Sequence, residues 1–163
     1  MKPTLSVPFS AILQATLIAG VLDLLSAFVY ALLEGHNALV VPIGIASALW
    51  PGAKTALGAG IAVGVLLHFA IMLAMVSAFA LALRFWPQLA AQPKLAGAAY
   101  GVLLWAVMYL LVLPMRWPTL FPHFTATGVI EQLFSHIVLV GLPIAWLLGR
   151  SAKTVYRGEP AYP

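Results

Sequence analysis

There is no cysteine anywhere in this chain of 163 residues. That excludes disulfides, thiolate zinc sites, Cys-ligated iron–sulfur clusters and a cysteine nucleophile, and it leaves the redox compartment open. Charge is almost as scarce. Asp, Glu, Lys and Arg together make up 7% of residues, against about 25% in soluble domains. The net charge of +4 is spread over widely separated Lys and Arg, so no basic stripe for nucleic acid is present. Also missing are a nucleophile–base pair, a carboxylate pair, a phosphate loop and a metal motif, so enzymatic chemistry is not expected.

What the chain does have is apolar mass. Hydrophobic residues reach 63% and the mean hydropathy is +1.05. A soluble domain of this length has no interior large enough to hide that much apolar surface, so lipid is the expected solvent. One transmembrane domain over 1–163 is expected. Four runs are long enough to cross a bilayer, roughly 9–33, 57–83, 95–114 and 128–149. Backbone polar groups have no partner in lipid except one another, which makes each run α-helical. Period-two alternation is absent, which argues against a β-barrel. The first run is too long for a signal sequence and carries Asp23, so it reads as a retained helix. The fold class is therefore all-α: a polytopic membrane protein built as a four-transmembrane-helix bundle.

The connections carry their own signals. Asn37–Ala53 is uncharged but broken by Pro42, Gly44, Pro51 and Gly52. It reads as a short re-entrant or interfacial segment with Trp50 at headgroup level. Prolines at 114, 118 and 122 argue against a regular helix after the third span, and Trp117, Phe121 and Phe124 make that loop an interfacial belt. With four spans both termini share a side. That side holds Lys2, Arg84, Lys94, Arg150, Lys153 and Arg157; the other holds Lys54 and Arg116. The bias puts both termini in the cytoplasm of a bacterial inner membrane, with residues 150–163 as a basic cytoplasmic tail.

Asp23 is the only charged residue between Leu5 and Leu33. A carboxylate within a spanning helix is costly and needs a partner or a task. Thr16, Gly20, Asp23, Ser26, Tyr30 and Glu34 fall on one helical stripe. Gly64, His68, Met72, Met75 and Phe79 form the corresponding stripe of the second span. At about 1.5 Å per residue, Asp23 and His68 both lie about 16 Å deep, His136 about 12 Å and Tyr109 about 8 Å. The expected intramembrane polar cluster is thus Asp23, His68, His136 and Tyr109. Gly60 with Gly64 and Gly97 with Gly101 are small-xxx-small pairs for close helix packing. Pro143 is expected to kink the fourth span by freeing the Leu139 carbonyl.

Three readings of the cluster stay open. In the first, Asp23 accepts hydrogen bonds from a histidine and from Ser or Tyr and fixes helix register. In the second, the cluster exchanges protons or holds a small solute, since imidazoles titrate near neutral pH. In the third, His68 and His136 bind a metal or serve as axial ligands of a haem between facing helices. Glu131 and Arg116 lie near the same surface and suit an exposed ion pair of small worth. The three methionines at 72, 75 and 108 read first as packing; a copper path lined by them lacks an MxxxM repeat.

Several strings carry a resemblance: Ile45-Ala46-Ser47-Ala48-Leu49-Trp50, Leu66-Leu67-His68-Phe69-Ala70-Ile71, Tyr100-Gly101 with Met108 and Leu113-Pro114, and His136 with Gly141-Leu142-Pro143-Ile144-Ala145. From the first helix to Gly149 the chain resembles a family of uncharacterised four-helix bacterial inner-membrane proteins. The resemblance implies a four-span inner-membrane protein and no particular activity. The family's helix-one Asp and its histidines on helices two and four map onto Asp23, His68 and His136. The leading functional expectation is an accessory or interaction subunit of a larger membrane complex or a homo-oligomer, suggested by the glycine-lined faces. The alternative is binding or transport of a proton, small solute, metal or haem at the Asp/His cluster.

Overall fold

The geometry comes from a computed structural model of the chain, which describes residues 4–155. Lys2, Arg157 and most of the basic tail lie outside the described residues. The chain is an all-α four-helix bundle. The four long helices are α1 (Phe9–Leu33), α3 (Leu57–Phe85), α4 (Pro93–Arg116) and α5 (Ala126–Ser151), each long and apolar enough to cross a membrane. Between α1 and α3 lies a short helix, α2 (Val40–Ala46), followed by a single 3-10 turn at Pro51–Lys54.

Local chemistry sets the ends. α1 stops in a Schellman motif: Gly35 adopts φ +79°, its N–H donates to the Leu32 carbonyl, and the His36 N–H donates to the Ala31 carbonyl at 2.8 Å. α4 begins with Pro93 in its first turn, where a missing N–H costs nothing. α5 is capped by Thr125, whose hydroxyl oxygen accepts from the Gly128 N–H at 3.1 Å. At the terminal end, β1 (Thr4–Ser6) pairs antiparallel with β2 (Lys153–Val155), which holds the two described chain ends on one side of the bundle.

Backbone packing runs α2–α3–α1–α5–α4. The seam between α3 and α4 is the loose one. Toward the termini the interior is filled by Ala11, Ala15 and Ala19 against Val76, Phe79, Leu83, Ile144 and Leu148, all buried. The outward faces carry Leu17, Leu25, Leu66, Leu103, Leu110 and Trp146, all exposed. A contiguous apolar exterior of this kind requires hydrocarbon around it.

Glycines set the seams, and they do so inside the chain. A Cβ on Gly64 would overlap the Pro42 carbonyl oxygen, and one on Gly60 the Ala53 carbonyl oxygen, so this pair seats the α2 segment on α3. A Cβ on Gly97 would come within 2.7 Å of the Gly141 oxygen, and one on Gly101 within 2.6 Å of Ile137 Cα. These four glycines are thereby occupied by contacts within the chain.

Two stretches depart from α-helix. Val107–Val112 in α4 and Ser135–Gly141 in α5 are π-helical. Each precedes a proline, Pro114 or Pro143, whose ring pushes against the carbonyl four residues back and whose missing N–H leaves that carbonyl free. Widening to i→i+5 bonding absorbs both faults. This corrects the expected stop at Pro114: the helix runs through it to Arg116, and only Pro118 and Pro122 fall in the connection. The other spans extend about two residues past some of their expected limits, because Pro87 and Thr125 rather than the last apolar residue set the ends.

Candidate functional site

Where the α3–α4 seam opens, a cavity of about 250 Å³ lies between all four long helices, roofed by Val41 and Ile45 of α2. All four residues of the expected polar cluster, Asp23, His68, His136 and Tyr109, line it. Four helices deliver them, one residue each. Asp23, Ser26 and Tyr30 follow one another at helical spacing along α1. His68 sits one turn beyond Gly64, where the close seat of α2 brings α3 inward. His136 and Tyr109 lie on the two π-helical stretches, which re-aim side chains and recur at functional sites.

The hydrogen bonds differ from the register-fixing arrangement considered above. His68 Nε2–H donates to the Gly20 carbonyl at 2.9 Å, and His136 Nδ1–H donates to the Gln132 carbonyl at 2.9 Å. A carbonyl only accepts, so in the neutral imidazole these contacts put the proton on His68 Nε2 and on His136 Nδ1, with the lone pair on the other nitrogen of each ring. Among the described residues, neither imidazole bonds the Asp23 carboxylate. Between α1 and α5 the register is held by hydroxyls. Ser26 Oγ lies 2.9 Å from Ser135 Oγ, Ser135 donates to Tyr30 Oη at 3.2 Å, and Tyr30 donates to the Glu131 carbonyl at 3.4 Å.

The Asp23 carboxylate, His68 Nδ1, His136 Nε2 and Tyr109 Oη therefore have no hydrogen-bond partner among the described residues. None of them is sealed away, because among the described residues no buried polar side-chain atom lacks a partner. Each free atom retains accessible space, which fits a chamber that offers polar groups to something other than protein. Met72, Met75 and Met108 complete much of the remaining wall.

A second cavity, about 770 Å³, adjoins the first on the side away from the termini. Val41, Ile45, Tyr109 and Leu113 line both, so they form the neck between the two. Tyr109 is braced there by Trp105 (6.1 Å, stacked), Phe121 (6.4 Å) and the edge-on ring of His136 (5.7 Å). Lys54, Trp117 and Phe121 line the wider cavity. The expected Arg116–Glu131 ion pair is not what Arg116 makes. Its Nε donates to the Ala48 carbonyl at 2.6 Å and its Nη2 to the Ser47 carbonyl at 2.9 Å. A cation on these final carbonyls caps the short helix and ties the roof to the end of α4.

His36 and His123 lie exposed in the loops, away from the chamber. Among the described residues, no three of the His, Asp and Glu side chains converge closely enough to hold a metal ion. The chamber is also smaller than the clefts of about 300–1,000 Å³ that take drug-sized ligands, so a haem between His68 and His136 does not fit it. Sequence reasoning missed Ser135, Gln132 and the roof residues Val41 and Ile45. Ser135 carried a signal, being the residue before His136 on a span with few polar groups; the roof residues carried none. No protein family, curated protein or solved structure matches the chain.

Proposed function

We propose that this is a multi-pass protein of a bacterial inner membrane, with both termini cytoplasmic, that holds a small polar solute in an intramembrane chamber reached from the outer face. One observation carries the reading. Four polar atoms on four helices line one cavity, and none of them hydrogen-bonds another described residue. An intramembrane carboxylate costs several kcal/mol in some settings and is retained where it binds something. The adjoining cavity supplies the access route, and α2, carried on the glycine seat of α3 and tethered by Arg116, forms one wall of it. The orientation follows the Lys and Arg bias.

The cysteine-free chain makes the test direct. Ala27 lines the chamber, whereas Leu25 is 52% exposed on the outward face. A membrane-impermeant, water-soluble methanethiosulfonate reagent added to intact spheroplasts is expected to label Ala27→Cys and to leave Leu25→Cys unlabelled. Labelling of Ala27→Cys in neither spheroplasts nor inverted vesicles, with labelling only after denaturation, would overturn the reading.

A further inference from the structure

The chamber wall has a composition the polar cluster alone does not explain. Three of the chain's five methionines, Met72, Met75 and Met108, line this one cavity, and they come from two different helices. The same wall presents two imidazole lone pairs, on His68 Nδ1 and His136 Nε2. In each ring the other nitrogen donates to a backbone carbonyl at 2.9 Å. That arrangement is the one that orients a histidine as a metal ligand: the outer N–H is held, which fixes tautomer and ring plane and raises the basicity of the inner nitrogen.

Resting on the solute-binding reading above, we propose that the chamber takes a soft monovalent metal cation, copper(I) by its chemistry, between the Met72, Met75 and Met108 thioethers and the His68 and His136 imidazoles, with Asp23 balancing the charge. Ligand type selects the ion. Thioethers favour copper(I), and imidazole suits copper as well. Zinc, calcium and magnesium need hard or borderline ligands in closer convergence than the His, Asp and Glu side chains show here. Charge selects the valence. Imidazole and thioether are neutral, and Asp23 is the only acidic residue in the wall. One carboxylate neutralises one positive charge in a low-dielectric site, whereas a divalent ion would keep an uncompensated charge. The site requires no redox step; the ion is held or passed as copper(I).

The test uses the full chain purified in detergent micelles, with silver(I) and, under anaerobic reducing conditions, copper(I) in competition with a coloured copper(I) chelator. One ion per chain is expected, with no displacement by excess zinc(II). Met108→Leu keeps volume and removes the thioether, and it is expected to weaken binding at least about tenfold; His136→Gln is expected to do the same. Circular dichroism and thermal unfolding of each variant report whether the bundle is intact. Absence of silver(I) and copper(I) binding by the folded parent, or binding unchanged in Met108→Leu and His136→Gln, overturns the soft-cation assignment. The two readings separate cleanly: labelling of Ala27→Cys without metal binding removes the cation and keeps the chamber, while failure of labelling removes both.

Discussion

The Ser26 and Ser135 hydroxyl oxygens lie 2.9 Å apart and, with Tyr30, lock α1 against α5 one turn away from Asp23. The α1–α5 contact is thus held by a chain of neutral hydroxyls, and the carboxylate beside it makes no hydrogen bond among the described residues. Interhelical hydrogen bonds in membranes contribute about 0.6–1.7 kcal/mol. Ser26→Ala and Ser135→Ala should each destabilise by about that much, and the double variant should lose less than the two combined. Unfolding in mixed micelles of dodecyl sulfate and a mild detergent measures this, and strict additivity would show that the contact contributes nothing.

Asp23→Asn should leave the folded protein at least as stable as the parent. The carboxylate makes no hydrogen bond that asparagine would lose, and an ionised aspartate at the centre of a spanning helix costs about 2.5–3.5 kcal/mol on insertion scales. Silver(I) binding by the same variant should fall, because the compensating charge is gone. Destabilisation by more than about 1 kcal/mol would instead make Asp23 a structural partner.

Gly64→Ala should be costly. Its new methyl group would overlap the Pro42 carbonyl oxygen, which is backbone and has no rotamer to yield. Overpacking of this kind costs about 1–3 kcal/mol. Gly58→Ala, six residues nearer the start of α3, meets nothing within 4 Å and should be neutral or slightly stabilising. The same unfolding assay compares them, and equal effects would mean that α2 does not sit in the notch.

Arg116→Gln should loosen the roof. The variant loses charge-assisted bonds to the Ser47 and Ala48 carbonyls, of a class that contributes about 1.5–3 kcal/mol when well desolvated and less at an exposed position such as this. The bundle should unfold as the parent does, while a cysteine at Ala27 should label several times faster. An unchanged labelling rate would mean that the tether does not govern access to the chamber.

Much of the fold was legible in the sequence, because in lipid a span is defined by composition and length. The four helices follow from uncharged or nearly uncharged runs at roughly 9–33, 57–83, 95–114 and 128–149. The inward stripe Gly64, His68, Met72, Met75 and Phe79 follows from helical periodicity, and all but the half-buried Met75 are buried. Pro114 misled, because a proline's local effect depends on whether the coil can widen around it. That in turn depends on the partner helix: Gly97 and Gly101 of α4 give the widened turn of α5, before Pro143, room to approach.

By itself the sequence determined that this chain seeks hydrocarbon, how many times it can cross, and that Asp23, His68 and His136 stand at comparable depth, since hydropathy and rise per residue are local properties. Only the tertiary structure decided that these groups share one chamber with three methionines, that hydroxyls rather than the carboxylate hold the helices, and that Arg116 grips α2. Those outcomes depend on which helices neighbour one another and on how each is rotated about its axis, and rotation is fixed by contacts between residues far apart in the chain.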